Sequence, residues 1–175
     1  MIYLTDLSKK IIKDFGKINL AIDMTCGNGN DTLFLAKIAK KVYSFDIQSL
    51  AISNTKVLIK GYKNVKLIKD NHINIDKYIK DKIDVVIYNL GYLPGGDKEI
   101  ATTAKSTIIS LKKILTLLNE KALIIIEVYP HNPDEIRNLL AFTKTINNNY
   151  DVIKLDLHNK NNSPFLLIIS KNINI

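Results

Sequence analysis

The stretch INLAIDMTCGNGNDT, residues 18–32, decides the fold, because a strand, a glycine turn and a helix start follow one another in it. Ile18–Asp23 is a short apolar run that ends in an acid, which predicts a buried strand. Gly27 and Gly29 let the backbone approach a ligand closely, and the helix start offers unpaired N–H groups. A lone G-x-G pair is weak evidence, and an ordinary direction-changing turn is the alternative.

Outward from this stretch, helical and extended patterns alternate along the chain. The pattern predicts helices over residues 6–15, 31–40, 48–60, 73–79, 107–118 and 134–146. It predicts strands over residues 18–23, 42–46, 65–69, 83–88, 123–129, 152–157 and 165–170. Such alternation indicates an α/β fold, a doubly wound, mostly parallel sheet with helices on both faces. A short polar loop joins the last two strands, so these two are expected to be antiparallel.

Composition narrows the class of protein. A chain of 175 residues with 46% apolar content suits one domain, residues 1–175. The net charge of +8 comes almost entirely from lysine and favours a polyanionic partner such as nucleic acid. Cys26 is the one cysteine, so no internal disulfide can form and a reducing cytoplasm fits best. No apolar run approaches a bilayer span and no secretory leader is visible, so we expect a cytoplasmic protein without membrane association.

Acids end two further strands, at the edge where doubly wound sheets bind ligands. Asp46 follows the second strand, where a carboxylate can accept both ribose hydroxyls of a nucleoside. Asp70 follows the third strand, where it can meet an adenine amino group. A strand-end acid or helix cap is the alternative for both. Position 32 is Thr32 and not the third glycine of the dinucleotide pattern, which argues against NAD.

The sequence NLGYLPGGD, residues 89–97, follows the fourth strand and is the most informative loop. The Asn89 side-chain carbonyl and a neighbouring backbone carbonyl can accept hydrogen bonds from an amine and aim its lone pair at a methyl group, which is catalysis by positioning. Tyr92 can stack on a base. An ordinary strand-to-helix loop with a core tyrosine is the alternative.

The remaining polar residues give weaker signals. His131 follows the fifth strand and can bind a substrate or relay a proton, although an inert loop histidine is the alternative. The spacing of His72 and His158 does not suit a metal site, so we expect none. Cys26 is expected to be a small buried residue and not a nucleophile.

Several motifs together resemble the YtqB/MnmM-like family of class I S-adenosylmethionine (SAM)-dependent methyltransferases, also labelled rRNA methylases. The matching residues run in order through nearly the whole chain: Asp23-x-Thr25-x-Gly27-Asn28-Gly29-x-Asp31-Thr32-Leu33-Phe34-Leu35-Ala36, Phe45-Asp46-Ile47-Gln48, Asn89-Leu90-Gly91-Tyr92-Leu93-Pro94-Gly95-Gly96-Asp97-Lys98, Thr102, Ser106-Thr107, Tyr129-x-His131 and Asn161-Asn162-x-Pro164-Phe165. The third segment is far more specific than the glycine turn. The chain departs from the family after Tyr129, where glycines are missing, and at Ser163-Pro164, where the family has two prolines.

The resemblance implies a Rossmann-like class I fold with one reversed strand near the C-terminus, SAM as cofactor and tRNA, at its anticodon region, as partner. The implied reaction is N-methylation of the 5-aminomethyl group of a wobble (2-thio)uridine, giving the 5-methylaminomethyl nucleoside. The expected catalytic residues are Asn89, Tyr92 and His131. The expected cofactor-binding residues are Asp23, Thr25, Gly27, Asn28, Gly29, Asp31, Thr32, Asp46, Gln48, Asp70, His72 and Asn89. The expected substrate-binding residues are Leu90, Gly91, Tyr92, Pro94, Gly95, Gly96, Tyr129, His131, Pro164 and Phe165.

Other functions remain open at the level of sequence. One alternative is methylation of rRNA, of a small amine or of a protein. A second is a non-catalytic module that binds SAM or RNA, and a third is an NAD-dependent oxidoreductase. Family members can dimerise, so a homodimer is possible, although no interface is visible in the sequence.

Overall fold

Seven strands of the chain pair into one sheet. The computed structural model describes residues 3–91, 103–130 and 133–173. The strands are β1 (Ile18–Asp23), β2 (Ala39–Asp46), β3 (Val65–Lys69), β4 (Ile83–Asn89), β5 (Leu118–Val128), β6 (Asp151–Leu155) and β7 (Phe165–Lys171). Their order in the sheet is β3-β2-β1-β4-β5-β7-β6.

The sheet is mostly parallel, and its reversed strand lies near the C-terminus. β1 to β5 pair in parallel, whereas β7 runs antiparallel to both β5 and β6. The predicted doubly wound, mostly parallel sheet with a reversed strand near the C-terminus is confirmed. The chain order reverses between β1 and β4, so a crevice lies where the carboxyl ends of these two strands meet.

Helices cover both faces of the sheet. They are α1 (Leu4–Asp14), α2 (Asn30–Ile38), α3 (Ser49–Leu58), α4 (Ile75–Tyr78), α5 (Ala104–Leu117) and α6 (Pro133–Thr143), with a 3₁₀ turn over His72–Asn74. α1 and α2 bury apolar side chains against one face, and α4, α5 and α6 bury theirs against the other. Every helix in the described part of the chain is too short or too polar to cross a lipid bilayer.

Some boundaries differ from the predicted ones because strand pairing overrides local pattern. The helix predicted over residues 31–40 ends at Ile38, since Ala39 already pairs with Ile18 of β1. β5 begins at Leu118, five residues earlier than predicted, because Leu118 pairs with Ile83 before the register shifts. Neither effect is visible in a local window of sequence.

Candidate functional site

A buried carboxylate fixes the turn between β1 and α2. Asp23 Oδ1 accepts a hydrogen bond from the Thr25 backbone N–H at 3.1 Å, and Oδ2 accepts one from the Thr32 hydroxyl at 2.6 Å. Burial, then the nearby Asp31 charge, raises the pKa of Asp23 to about 7. Asp23 and Thr32 have no exposed surface. They therefore stabilise the turn from the protein interior, and their direct contact with the cofactor stays a prediction.

The two glycines of the turn adopt left-handed conformations, with φ +51° at Gly27 and +87° at Gly29. A Cβ on Gly29 would lie 2.9 Å from the Thr55 hydroxyl oxygen and 3.0 Å from its Cα. Thr55 in turn donates to the Gly27 carbonyl at 3.0 Å, and Asn28 accepts from Asn54 at 2.9 Å. Glycine at position 29 is therefore required by close packing against α3 as well as by backbone conformation.

Asp46 at the end of β2 ties the glycine turn to the start of α3. Its Oδ2 accepts from the Gly27 N–H at 3.0 Å, and its Oδ1 accepts from the Gln48 N–H at 2.9 Å. A carboxylate has about four acceptor sites, so this half-buried side chain keeps two for a ligand. The Asp46 position predicted for ribose recognition therefore has both the location and the remaining acceptor capacity.

The residues after β3 mainly stabilise their own turn. Asp70 accepts hydrogen bonds from the Asn71 N–H, the Asn74 amide and the Tyr78 hydroxyl at 2.7–3.0 Å, and the Tyr78 bond is the main cause that lowers the pKa of Asp70. His72 is buried, and its Nε2 has no hydrogen-bond partner among the described residues. Burial lowers the pKa of His72 to about 4, which keeps the ring neutral at pH 7. Adenine contact by Asp70 and His72 stays a prediction.

Asn89, at the end of the central strand β4, is held on two sides. Its backbone N–H donates to the Thr25 hydroxyl at 2.8 Å, which joins the end of β4 to the glycine turn. Its side-chain Nδ2 donates to Asp31 Oδ2 at 3.4 Å, and Lys9 pairs with Asp31 Oδ1 at 3.2 Å. A carboxylate can only accept, so Asp31 fixes which end of the amide faces it. The Asn89 carbonyl oxygen consequently points away from Asp31, and a Cβ on Gly91 would lie 3.7 Å from it.

A second carboxylate, Glu127, stands beside Asn89 and was missed by the sequence analysis. Asn89 and Glu127 are register partners on β4 and β5. Glu127 is 5% exposed, and its Oε1 accepts from the Thr5 hydroxyl at 2.8 Å and the Tyr129 hydroxyl at 3.1 Å. Burial raises the pKa of Glu127. The one available signal was an acid inside the otherwise apolar run of residues 123–128.

The acceptor-side predictions fall into three groups. Half-buried Leu90, Gly91 and Tyr129 lie together: the Leu90 N–H donates to the Glu127 carbonyl at 2.9 Å, and a Cβ on Gly91 would lie 3.7 Å from the Tyr129 ring. The predicted residues Tyr92, Pro94, Gly95, Gly96 and His131 lie outside the described residues.

Phe165 and Pro164 complete the acceptor-side predictions. The Phe165 ring is 6% exposed and belongs to the apolar core, with the Lys154 ammonium 4.8 Å from the ring centroid. The preceding Pro164 is half-buried. The buried ring supports this end of β7 from inside, and direct contact of either residue with substrate stays a prediction.

The described residues fit an adenosine-type cofactor. The glycine turn leads into α2, whose first turn has no side-chain cap, and the carboxylate of Asp46 retains two acceptor sites beside it. At the same edge of the sheet, the buried Nε2 of His72 lacks a hydrogen-bond partner among the described residues, and a ligand could supply one. Within residues 3–91, 103–130 and 133–173, no group of three or more His, Cys, Asp or Glu side chains is arranged to hold a metal ion. Cys26 is buried, and burial raises the pKa of its thiol, so it is unsuited to act as a nucleophile.

Comparison with known proteins identifies relatives for most of the chain. The model of a family described as "Putative rRNA methylase" matches residues 42–171. A chloroplast tRNA (mnm(5)s(2)U34)-methyltransferase of Arabidopsis thaliana is 32% identical over 178 residues. The match covers 90% of this chain but 65% of the plant protein, so the chain spans about two thirds of that relative's length.

Two solved structures are similar over almost their full length. A "putative rRNA-methylase" of Clostridium thermocellum shares 37% identity and superposes with a TM-score of 0.93, covering 98% of both chains. A Streptococcus mutans protein described as a methyltransferase, in complex with S-adenosylhomocysteine (SAH), shares 37% identity with a TM-score of 0.91 and covers 98% of this chain and 99% of that chain. SAH is SAM without its transferable methyl group, so the predicted cofactor, SAM, is confirmed.

Proposed function

The chain belongs to the rRNA methylase family and is a SAM-dependent methyltransferase, and from this premise we propose that it N-methylates the 5-aminomethyl group of the wobble (2-thio)uridine of tRNA. The product is the 5-methylaminomethyl nucleoside. The predicted membership of the YtqB/MnmM-like family is confirmed. What we propose is the acceptor nucleoside and its position in the tRNA.

The observation that carries the proposal is the orientation of Asn89. Asp31, itself paired with Lys9, draws the amide nitrogen of Asn89 toward α2. The carbonyl oxygen is then on the side of Gly91, where a Cβ would lie 3.7 Å from it. A fixed carbonyl oxygen accepts a hydrogen bond from an amine N–H, which orients the amine's remaining lone pair and supports positioning catalysis.

Charge around Asn89 also favours an amine as acceptor. Glu127 stands beside it, whereas Asp31 is paired with Lys9 and Asp23 is buried behind the adjacent turn. The carboxylate of Glu127 makes the surroundings of Asn89 locally acidic, although the whole chain carries a net charge of +8. An aminomethyl group is an ammonium ion near neutral pH and is attracted to such a site, while the basic remainder of the protein attracts the phosphates of RNA.

The mechanism follows from these positions. SAM, when bound, supplies an electrophilic methyl group. The glycine turn with Asp46 and Gln48 would hold the nucleoside part of the cofactor, and Asn89 would orient the acceptor amine. Thr25, which accepts from the Asn89 N–H, keeps Asn89 in a fixed position relative to the glycine turn.

The choice of tRNA rests on the name of the Arabidopsis relative, 32% identical over 90% of this chain. The test is transfer of a labelled methyl group from SAM to a panel of acceptors. It comprises tRNA carrying 5-aminomethyluridine, the same tRNA lacking the aminomethyl group, ribosomal RNA and small primary amines. We expect label in the first acceptor alone. Label in ribosomal RNA or in the small amines, with none in aminomethylated tRNA, would refute the proposal.

A further inference from the structure

We propose that Glu127 and Tyr129 remove the proton that the acceptor ammonium must lose before it is methylated, with Tyr129 meeting the amine and Glu127 as the positioning residue that holds the proton. The inference rests on the proposed function, because it requires an amine as acceptor. It adds a proton acceptor to a site in which Asn89 supplies only orientation.

The hydroxyl of Tyr129 connects Glu127 to the side of the site where Asn89 and Gly91 lie. The Tyr129 hydroxyl donates to Glu127 Oε1 at 3.1 Å. The Tyr129 ring lies beside Gly91, where an added Cβ would be 3.7 Å from it. Burial is the main cause that raises the pKa of the Tyr129 phenol, and the nearby Asn89 side chain opposes part of that rise. Tyr129 therefore stands between the buried carboxylate and the amide that would orient the amine.

Glu127 suits this role better than the other two acids nearby. Asp23 has no exposed surface and lies behind the turn, and Asp31 is neutralised by Lys9 at 3.2 Å. Within the part of the chain that the structure describes, the hydrogen bonds to Glu127 come from two neutral hydroxyls, those of Thr5 and Tyr129. Glu127 is therefore the one of these three acids that a hydrogen bond joins to Tyr129 and that is not paired with a lysine.

The proton moves in one balanced step. An N–H bond of the ammonium breaks as the Tyr129 oxygen takes that proton, and the original Tyr129 O–H proton passes to Glu127 Oε1. The nitrogen keeps the electron pair, so an ammonium and a carboxylate become a neutral amine and a neutral acid. Burial disfavours both charged forms and thus favours this direction. After methylation the secondary ammonium leaves, and Glu127 returns its proton to water.

The titratable neighbours of Glu127 are few. Among the described residues, α1 presents Lys9, α2 presents Asp31 and the end of β5 presents Tyr129. The β7 register partner, Leu166, is apolar. Asp31 raises the pKa of Glu127 and Lys9 lowers it, and both effects are smaller than that of burial.

The test compares the dependence of kcat on pH for wild type, Glu127→Gln, Tyr129→Phe and the exposed control Glu120→Gln, with aminomethylated tRNA as acceptor. Wild type should reach a plateau once Glu127 is ionised. Without the carboxylate only the free amine reacts, so kcat of Glu127→Gln should fall about 10²-fold at pH 7 and recover about tenfold per pH unit toward the amine's own pKa. Tyr129→Phe, which keeps the carboxylate, should show the same recovery.

Two further readouts separate this role from a structural one. The SAM dissociation constant and the melting temperature of Glu127→Gln should match those of Glu120→Gln. In wild-type protein labelled with ¹³C at the glutamate carboxyl, the resonance missing from Glu127→Gln should titrate above the usual pH range of a glutamate side chain. A deficit that is constant across pH, or unchanged kcat, would overturn the inference while leaving the function intact. Inactivity of wild type on aminomethylated tRNA would overturn both.

Discussion

At the residue scale, the site depends on carboxylates that hold other groups in place. Asp31 orients the Asn89 amide, Asp46 holds two backbone N–H groups, and Asp23 holds the turn from within. The sequence predicted all of these positions because each follows a strand or a glycine turn. It did not predict the partners, since Lys9 and Asp31 come from separate helices and meet only after folding.

Glu127 shows why part of the site was not predictable. It lies within a run of aliphatic residues, where local pattern predicts only a buried strand. Its partner Thr5 is 122 residues away in the chain. A contact of that kind depends on α1 crossing over the end of β5, which no local pattern encodes.

Replacement of Asn89 tests the orienting role. We expect Asn89→Ala to lower kcat by about 10²-fold or more, because the amine loses the acceptor that aligns it. The SAM dissociation constant, measured by calorimetry, should change less than threefold. Asn148→Ala, at an exposed asparagine, is the control and should retain wild-type kcat. Retention of full turnover by Asn89→Ala would remove Asn89 from the mechanism.

Replacement of Asp46 tests the cofactor side. Asp46→Ala removes the acceptor for the Gly27 and Gln48 N–H groups together with the two sites left for a ligand. We expect the SAM dissociation constant to rise at least tenfold, since hydrogen bonds to a charged group contribute about 1.5–3 kcal/mol each. Calorimetric titration measures it. Asp81→Ala, at an exposed acid, is the control and should bind SAM with wild-type affinity. Equal SAM affinities for the two variants would show that Asp46 does not contribute to cofactor binding.

At the scale of the elements, the glycine turn and α3 form one packed unit. The sequence predicted β1, the turn and α2 from a strand-turn-helix pattern. The approach of Thr55 to Gly29 lay beyond that pattern, since it depends on how α3 packs beside α2. The same limit explains the shift of β2 to Ala39, which parallel pairing with β1 determines.

Alanine substitutions at three glycines separate the cost of a left-handed backbone conformation from the cost of a steric clash. Gly29→Ala combines a left-handed φ with contacts of 2.9–3.0 Å to Thr55, so we expect a loss of about 2–4 kcal/mol in the free energy of unfolding. Gly16→Ala keeps only the unfavourable φ of +92° and should lose about 1–2 kcal/mol. Gly61→Ala meets nothing within 4 Å and should be nearly neutral. Urea denaturation of the three variants gives the ranking, and equal losses at Gly29 and Gly16 would exclude the collision with Thr55.

At the scale of the whole molecule, the mostly parallel sheet was predictable because strand and helix patterns alternate, and the antiparallel last pair because a short loop joins its strands. One reversed strand near the C-terminus was implied by the family resemblance. The insertion of β7 between β5 and β6 was not predictable, since it follows from long-range antiparallel pairing. The buried carboxyl group of Asp23, at the end of β1, makes the stability of the folded protein depend on pH.

The raised pKa of Asp23 sets the sign of that dependence. The folded protein holds the Asp23 proton more tightly than the unfolded chain does, so this contribution to stability is complete below pH 4 and is lost as pH rises toward about 7. Asp23→Asn is neutral throughout. We therefore expect the variant to lose about 1–3 kcal/mol less unfolding free energy than wild type between pH 4.5 and 7.5. Urea denaturation at both pH values measures it, with exposed Asp14→Asn as control; identical pH slopes for wild type and Asp23→Asn would contradict the assignment.

The most direct test of the proposed activity is nucleoside mass spectrometry of tRNA after incubation with the enzyme and deuterated-methyl SAM. The tRNA should come from cells that lack this enzyme and accumulate 5-aminomethyl(-2-thio)uridine. We predict that this nucleoside disappears and that a deuterated 5-methylaminomethyl nucleoside appears at the wobble position in equal amount. If the aminomethyl nucleoside persists while SAM binding is demonstrated by calorimetry, the cofactor assignment stands and the proposed acceptor is wrong.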